Sequence, residues 1–264
     1  MNADISNDPN LTLCILASGS KGNAIYVSDG ATSLLIDAGL SGVEIERRMR
    51  SRGLDPTTLD AILVTHEHAD HVRGVGVLSR RYGLPVYISP GTDGAAAGRM
   101  GKIRDVRHFE CGRSFAVDDL TVHPFSTSHD ASDSAGFTVT RNGVKIGIAT
   151  DLGIPTSVVR THLKNCALLV LESNHDPKML MEGPYPWHLK QRVRGRTGHL
   201  ANEASRDLLG ELRHDRLAHV VLAHLSEENN TPETALRAVG PALGQGRIRL
   251  SVAAQNACGE IFRL

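Results

Sequence analysis

Long apolar runs are missing from these 264 residues. None reaches the eighteen or so positions that a membrane-crossing helix needs, so no membrane partner is expected. A surplus of one charge is missing too: Lys and Arg number 29, Asp and Glu 29. No bulk field therefore draws the chain to a polyanion, and local patches or bound cations must supply any such attraction. No Cys-x-x-Cys pair occurs. Cys14, Cys111, Cys166 and Cys258 stand apart, three of them beside apolar residues, and read as buried free thiols of a reducing cytoplasm rather than as disulfides. The first ten residues are polar and acidic, without the basic stretch and apolar core of a secretory signal. They are expected to form a flexible tail, with a single domain over 11–264. No short repeat is present, which excludes collagen-like and low-complexity chains. What remains is 41% hydrophobic residues, 26 Gly and only 22% charged residues, the composition of a soluble globular protein rather than a disordered one.

Short apolar runs alternate with amphipathic stretches. Strands are expected at 11–17, 24–27 and 33–36, the last two paired across Asp29-Gly30. A helical period over 42–52 stops at Gly53. Residues 61–64 read as a buried strand, 72–82 as a helix closed by Gly83, and 86–89 as a strand. The segment 106–139 is strand-rich. Asn142-Gly143 predicts a hairpin between 136–141 and 144–150. Further buried strands fall at 167–172 and 218–223. Thr231-Pro232-Glu233 has the cap and first-turn proline of a helix start, and 247–264 ends the chain in strands. The pattern is mixed α/β without a linker. It fits two sheets between helices, and equally a doubly wound sheet.

Chemistry concentrates at one place. Directly after the strand 61–64 comes Thr65-His66-Glu67-His68-Ala69-Asp70-His71. A strand end and a tight turn can aim His66 and His68 to one side and bring Asp70 and His71 to a neighbouring point. Imidazole and carboxylate suit Zn, Mn or Fe, and four such groups so close together suit two adjacent ions. A solvated polar turn is the bland alternative, and burial of four unpaired polar groups would make it costly.

This segment resembles the His-x-His-x-Asp-His signature of the metallo-β-lactamase superfamily. Ser128-His129-Asp130, Thr150-Asp151-Leu152-Gly153 and Ala223-His224-Leu225-Ser226 each follow an expected strand and are similar to that family's later motifs. The resemblance runs over roughly 11–264. It implies an αββα sandwich: two mixed β-sheets flanked by helices, with two divalent metal ions at one edge. By position, one ion would take His66, His68 and His129, the other Asp70, His71 and His224, and Asp151 would bridge them. Mn²⁺ and Zn²⁺ both suit this set. Such a pair makes hydroxide available at neutral pH, for attack on a phosphodiester, a thioester or a lactam.

Several further strings narrow the branch: the segment 11–23 with its Ser18-Gly19-Ser20-Lys21-Gly22-Asn23 loop, then 171–176, 183–191, 198–203 and 224–230. Together they resemble the YycJ/WalJ-type nucleases. That resemblance implies a cytoplasmic 5′→3′ DNA exonuclease using a metal-bridging hydroxide oriented by Asp70, with a role in mismatch repair and repair proteins as partners. One departure is Ala201, where the family pattern has Ser. The small polar loop with Ser18, Ser20, Lys21 and Asn23 can cradle a phosphate, though an ordinary glycine-rich turn reads the same way. Lys190, Arg192, Arg194 and Arg196 put four positive charges in seven residues and are candidates to track a nucleic-acid backbone, with Trp187 and Tyr185 as stacking platforms. A solvated basic helix with Trp187 in the core is the alternative. Arg47, Arg48, Arg50 and Arg52 share an amphipathic helix with Glu44 and Glu46 and read as a solvated face. His175 and His199 lie outside the implied ligand set; either can bind the scissile phosphate or protonate the leaving oxygen, and His199, just before an expected helix start, is preferred. Rival functions are a small-molecule hydrolase (a cyclic phosphodiesterase or thioesterase) and a metal-binding interaction module without turnover.

Overall fold

The computed structural model describes residues 11–244 and 247–264; the expected N-terminal tail lies outside the described residues. The strands are β1 (Thr12–Ala17), β2 (Ala24–Ser28), β3 (Ser33–Ile36), β4 (Ala61–Leu63), β5 (Val86–Ile88), β6 (Val106–His108), β7 (Phe115–Val117), β8 (Leu120–Ser126), β9 (Ala135–Arg141), β10 (Val144–Ala149), β11 (Leu168–Glu172), β12 (His219–Ala223), β13 (Arg249–Val252) and β14 (Ile261–Arg263). The helices are α1 (Gly42–Ser51), α2 (Ala69–Val72), α3 (Val75–Tyr82), α4 (Pro90–Met100), α5 (Ser157–Leu163), α6 (Pro177–Glu182), α7 (Trp187–Val193), α8 (Asn202–Leu212) and α9 (Pro232–Val239).

Alternate residues of a strand face opposite ways, and here both faces are covered. On β3, Leu34 and Ile36 join the core between the sheets, while Leu35 packs outward with Ile45, Met49 and Leu78 of α1 and α3. On β11, Leu168 and Val170 point inward, and Leu169 and Leu171 meet Val159 of α5 and Leu208 and Leu209 of α8. Burial on both faces is why these strands read as unbroken apolar runs. Truncating an inner-layer leucine to alanine would cost about 2–5 kcal/mol.

One sheet runs β14-β1-β2-β3-β4-β5-β6 and the other β13-β12-β11-β10-β9-β8-β7. Each is mixed, antiparallel through its hairpins and parallel in β3–β6 and β10–β13. The αββα sandwich is the architecture found, and the doubly wound alternative is excluded. The Asn142-Gly143 hairpin forms as expected, with Val144 opposite Arg141. The chain's end divides: β13 pairs with β12, and β14 crosses over to pair with β1.

Two local expectations need correction. The helix expected over 72–82 is two helices, because Gly74 interrupts it where the chain passes Ala38 and Leu40; a Cβ there would lie 2.4 Å from the Leu40 carbonyl oxygen. The cysteines are free as expected, but only Cys14 and Cys166 are buried, whereas Cys111 and Cys258 are partly exposed. Cys14 and Cys258 approach to 3.5 Å between sulfurs.

Candidate metal centre

The loops after β3, β4, β8, β10, β11 and β12 converge on one edge of the sandwich. Three of them turn sharply on non-glycine residues with left-handed backbones: Asp37 (φ 59), Asp151 (φ 58) and His224 (φ 55). That conformation is uncommon for L residues and clusters at functional sites. Gly39 allows the loop after β3 to touch the turn carrying Asp70; a Cβ there would sit 1.6 Å from the Asp70 carbonyl oxygen.

The seven side chains singled out as ligands come together. Donor atoms of His66, His68 and His129 lie within 4.8 Å of one another, as do those of Asp70, His71 and His224, and of His66, His71 and Asp151. Asp151 stands between the two halves, with Oδ2 3.4 Å from His71 Nε2 and Oδ1 3.5 Å from His224 Nε2 and 3.9 Å from His129 Nε2. His68 Nδ1 and His129 Nε2 are 3.3 Å apart. Such spacings match the edges of a tetrahedron whose metal–ligand bonds are about 2.0–2.1 Å.

Four of the imidazoles are gripped by one nitrogen and present the other to the centre. His71 Nδ1 donates to Asp37 Oδ2 (2.7 Å), His129 Nδ1 to the Gly198 carbonyl (3.1 Å) and His224 Nδ1 to Glu172 Oε1 (3.1 Å), while His66 Nδ1 meets Thr65 Oγ1 (3.0 Å). Outer partners of this kind set the tautomer and aim of metal-binding histidines. His66 Nε2, His224 Nε2 and Asp151 Oδ2 are buried and have no hydrogen-bond partner. Orphaned polar atoms are costly, and unpartnered donors on either side of Asp151, His66 in one group and His224 in another, fit divalent cations.

The halves differ in charge. Burial, together with neighbouring imidazoles, holds His66 well below its ordinary value; burial also lowers His129. Burial would lower His71 and His224 too, but carboxylates outweigh it: Asp151 and Asp37 raise His71 well above the ordinary value, and Asp151, Asp70 and Glu172 bring His224 to about 10. Asp70 and Glu172 resist the upward push of burial through their contacts with these rings and with His199, and both are held below the usual carboxylate range. Asp70, His71 and His224 would hold a cation in the second half, and binding it would release the histidine protons.

The other expected residues divide. His199 is beside the cluster, with Nδ1 2.7 Å from Glu172 Oε1 and 3.9 Å from Asp151 Oδ1. His175 is buried, with Nδ1 unpartnered, and joins none of the ligand groups. The loop expected to cradle phosphate is itself split. Ser18 and Asn23 are buried braces: Ser18 Oγ accepts from the His224 amide (2.8 Å), and the Asn23 amide reaches Asp70 Oδ2 (3.2 Å) and His71 Nε2 (2.9 Å). Ser20 and Lys21 face solvent, with Lys21 paired to Glu227. Trp187 is 54% exposed, under the Arg194 guanidinium, so it is not in the core. Lys190 Nζ donates to the Met181 carbonyl, and Arg192 pairs with Asp130, a neighbour of His129.

Two buried acids carry roles that the sequence reading did not assign. Asp37 accepts from Thr65 and His71; Glu172 accepts from His199, His224 and the amides of Leu152 and Leu200. Glu172 is the last residue of β11 and Asp37 directly follows β3, and a lone acid after a run of apolar residues is the signal the sequence carries.

Residues 32–224 match the family model of the β-lactamase superfamily domain. The chain is 38% identical over 235 residues to the exodeoxyribonuclease YycJ of Bacillus anthracis, covering 88% of this chain and 89% of that one. It is 36% identical over 242 residues to the exodeoxyribonuclease WalJ of Streptococcus pneumoniae, covering 90% of each. Among solved structures, the metallo-β-lactamase fold protein YhfI of Bacillus subtilis superposes with a TM-score of 0.75 at 16% identity, over 97% of this chain and 100% of that one. The fold implies divalent metal ions, and the donor set described above suits them. The chain belongs to the metallo-β-lactamase superfamily of metal-dependent hydrolases, with YycJ and WalJ as its relatives.

Proposed function

We propose that this protein is a two-metal exodeoxyribonuclease, degrading DNA from the 5′ end. The observation that carries the reading is the match of nine-tenths of the chain to two exodeoxyribonucleases. In support, the basin holds the seven implied donors together at one edge of the sandwich, from loops of both sheets. His66, His68 and His129 would hold one Mn²⁺ or Zn²⁺, and Asp70, His71 and His224 the other, with Asp151 shared. Divalent ions there supply the Lewis acidity that activates water and draws charge from a phosphoryl oxygen at neutral pH.

The chain's own residues do the rest. Asp70, held by Asn23, orients the attacking water. Glu172 accepts the Nδ1–H of His199, so the imidazolium form of His199, carrying its second proton on Nε2, is the one that passes that proton to the departing sugar oxygen and is left neutral with Nδ1–H still on Glu172. Glu172 also holds His224, tying the proton donor and a ligand to one buried carboxylate. Trp187 offers an exposed face for a base, and the α7 cations lie beside it for the backbone. The cytoplasm is the compartment that fits this substrate, and a part in mismatch repair is what the resemblance to YycJ/WalJ-type nucleases adds.

The test incubates metal-loaded protein with 5′-labelled single- and double-stranded DNA and with a small phosphodiester. Release of mononucleotides from the labelled end supports the reading. Turnover of the small ester with the polymer left intact would replace it with a small-molecule hydrolase.

A further inference from the structure

Beside the metal basin, on the far side of Asp70, lies a second cavity of about 410 Å³ lined by Ser20, Lys21, Gly39, Ala69, Asp70 and Arg73. Its wall is formed by the loops after β1 and β3 and by the turn around α2, so it shares Asp70 with the candidate ligand set. Arg73 is exposed, and among the described residues its guanidinium has neither a hydrogen bond nor an ion pair. Asp70, three residues earlier, would be its natural helical partner. The Asp70 carboxylate turns the other way, its Oδ2 3.5 Å from His71 Nε2, 3.7 Å from His224 Nε2 and 3.2 Å from Asn23 Nδ2. The Ser20 hydroxyl is exposed and unpartnered as well. Lys21 pairs with Glu227 across the surface, both side chains more than a third exposed, and exposed pairs of this kind exchange readily.

We propose that this cavity is a subsite for a second phosphate of the nucleic-acid strand, next to the one being cleaved, with Arg73 as its principal cation and Ser20 and Lys21 as further donors. A planar guanidinium gives two parallel hydrogen bonds to a phosphodiester, a geometry that an ammonium lacks. The one carboxylate in the wall is already engaged by two imidazoles and an amide, so it repels an incoming anion less than a free acid would. The cavity adjoins the basin through Asp70, so a strand whose scissile phosphate sits over the ligands runs into it directly. The inference rests on the nuclease reading and assigns Arg73, which that reading leaves without a role.

The test compares two substrates in wild-type protein and in Arg73→Ala, Arg73→Lys and Ser20→Ala. One is a 5′-labelled oligonucleotide; the other is bis(p-nitrophenyl) phosphate, a diester with a single phosphate. Arg73→Ala should lower kcat/KM on the oligonucleotide about tenfold more than on the diester, chiefly through KM. It should also flatten the dependence of oligonucleotide affinity on log salt by about one unit. Arg73→Lys should restore the salt slope and part of the affinity, and Ser20→Ala should give a smaller loss of the same kind. Equal losses on both substrates, or an unchanged salt slope, would overturn the subsite. Wild-type protein that turns over only the diester would overturn the nuclease reading beneath it.

Discussion

The floor of the site and its rim are built under opposite constraints. His66, His71, Asp151, Glu172 and His224 on the floor are each no more than 3% exposed. They are shielded from bulk solvent, so a polar atom there needs a protein partner or a cation, and a missing partner costs about 1–3 kcal/mol or more. At the rim, Lys21 and Arg192 are both more than 60% exposed, and each holds one surface ion pair. Such pairs are worth roughly 0–1 kcal/mol, so these side chains can leave their partners for a substrate. The floor is therefore fixed before anything binds, and the rim is adjustable.

Substitutions should reproduce that gradient. At the floor, Asp151→Ala removes the group that faces both halves; cleavage should fall about a thousandfold and metal content should drop, measured by assay and elemental analysis. Near-normal cleavage would break the contrast at its strongest point. His175, behind the floor, is kept neutral by burial down to about pH 4. The unfolded chain takes up that proton from about 6.5 downward, so the wild type should lose up to about 3 kcal/mol of stability as pH falls from 6.5 to 4, with no further loss from this group below 4. Melts of His175→Gln over that range should have a shallower acid limb; a parallel limb would mean that the group is not held neutral.

Glu172→Gln keeps the shape but loses the charge that holds His199 and His224. Activity or metal affinity should fall about 10–100-fold, and added metal should rescue only the part due to His224. Full rescue would remove His199 from the chemistry. At the rim, Lys190→Ala or Arg192→Ala should weaken DNA binding only a few-fold and lower the salt slope by about one unit each, with metal content unchanged. A change in metal content there would erase the distinction between rim and floor.

The same gradient governs what could be read from the sequence. His66, His68, Asp70 and His71 announce themselves, because so many donor groups in so short a stretch have few other uses. His129, Asp151 and His224 are single residues after strands, and only their family resemblance singled them out. Asp37 and Glu172 are equally central, but each is one acid, just after β3 or at the end of β11, and its partners come from distant loops. Ser18 and Asn23 looked like substrate donors because a small polar loop has the same composition whether it faces a phosphate or braces two ligands. The two-sheet architecture was ambiguous for a related reason: a strand covered on both faces looks alike in a sandwich and in a doubly wound sheet. What separates them is the division of the strands into two sheets, β1–β6 with β14 in one and β7–β13 in the other.

The most direct test is the metal stoichiometry of stripped protein titrated with Mn²⁺ or Zn²⁺ by calorimetry, for wild type and for Asp151→Ala. Two ions per wild-type chain, and weakened uptake in the variant, are the expected result. Uptake of no ion, of a single ion, or of two ions with unchanged affinity in Asp151→Ala would contradict a pair of cations joined by that carboxylate.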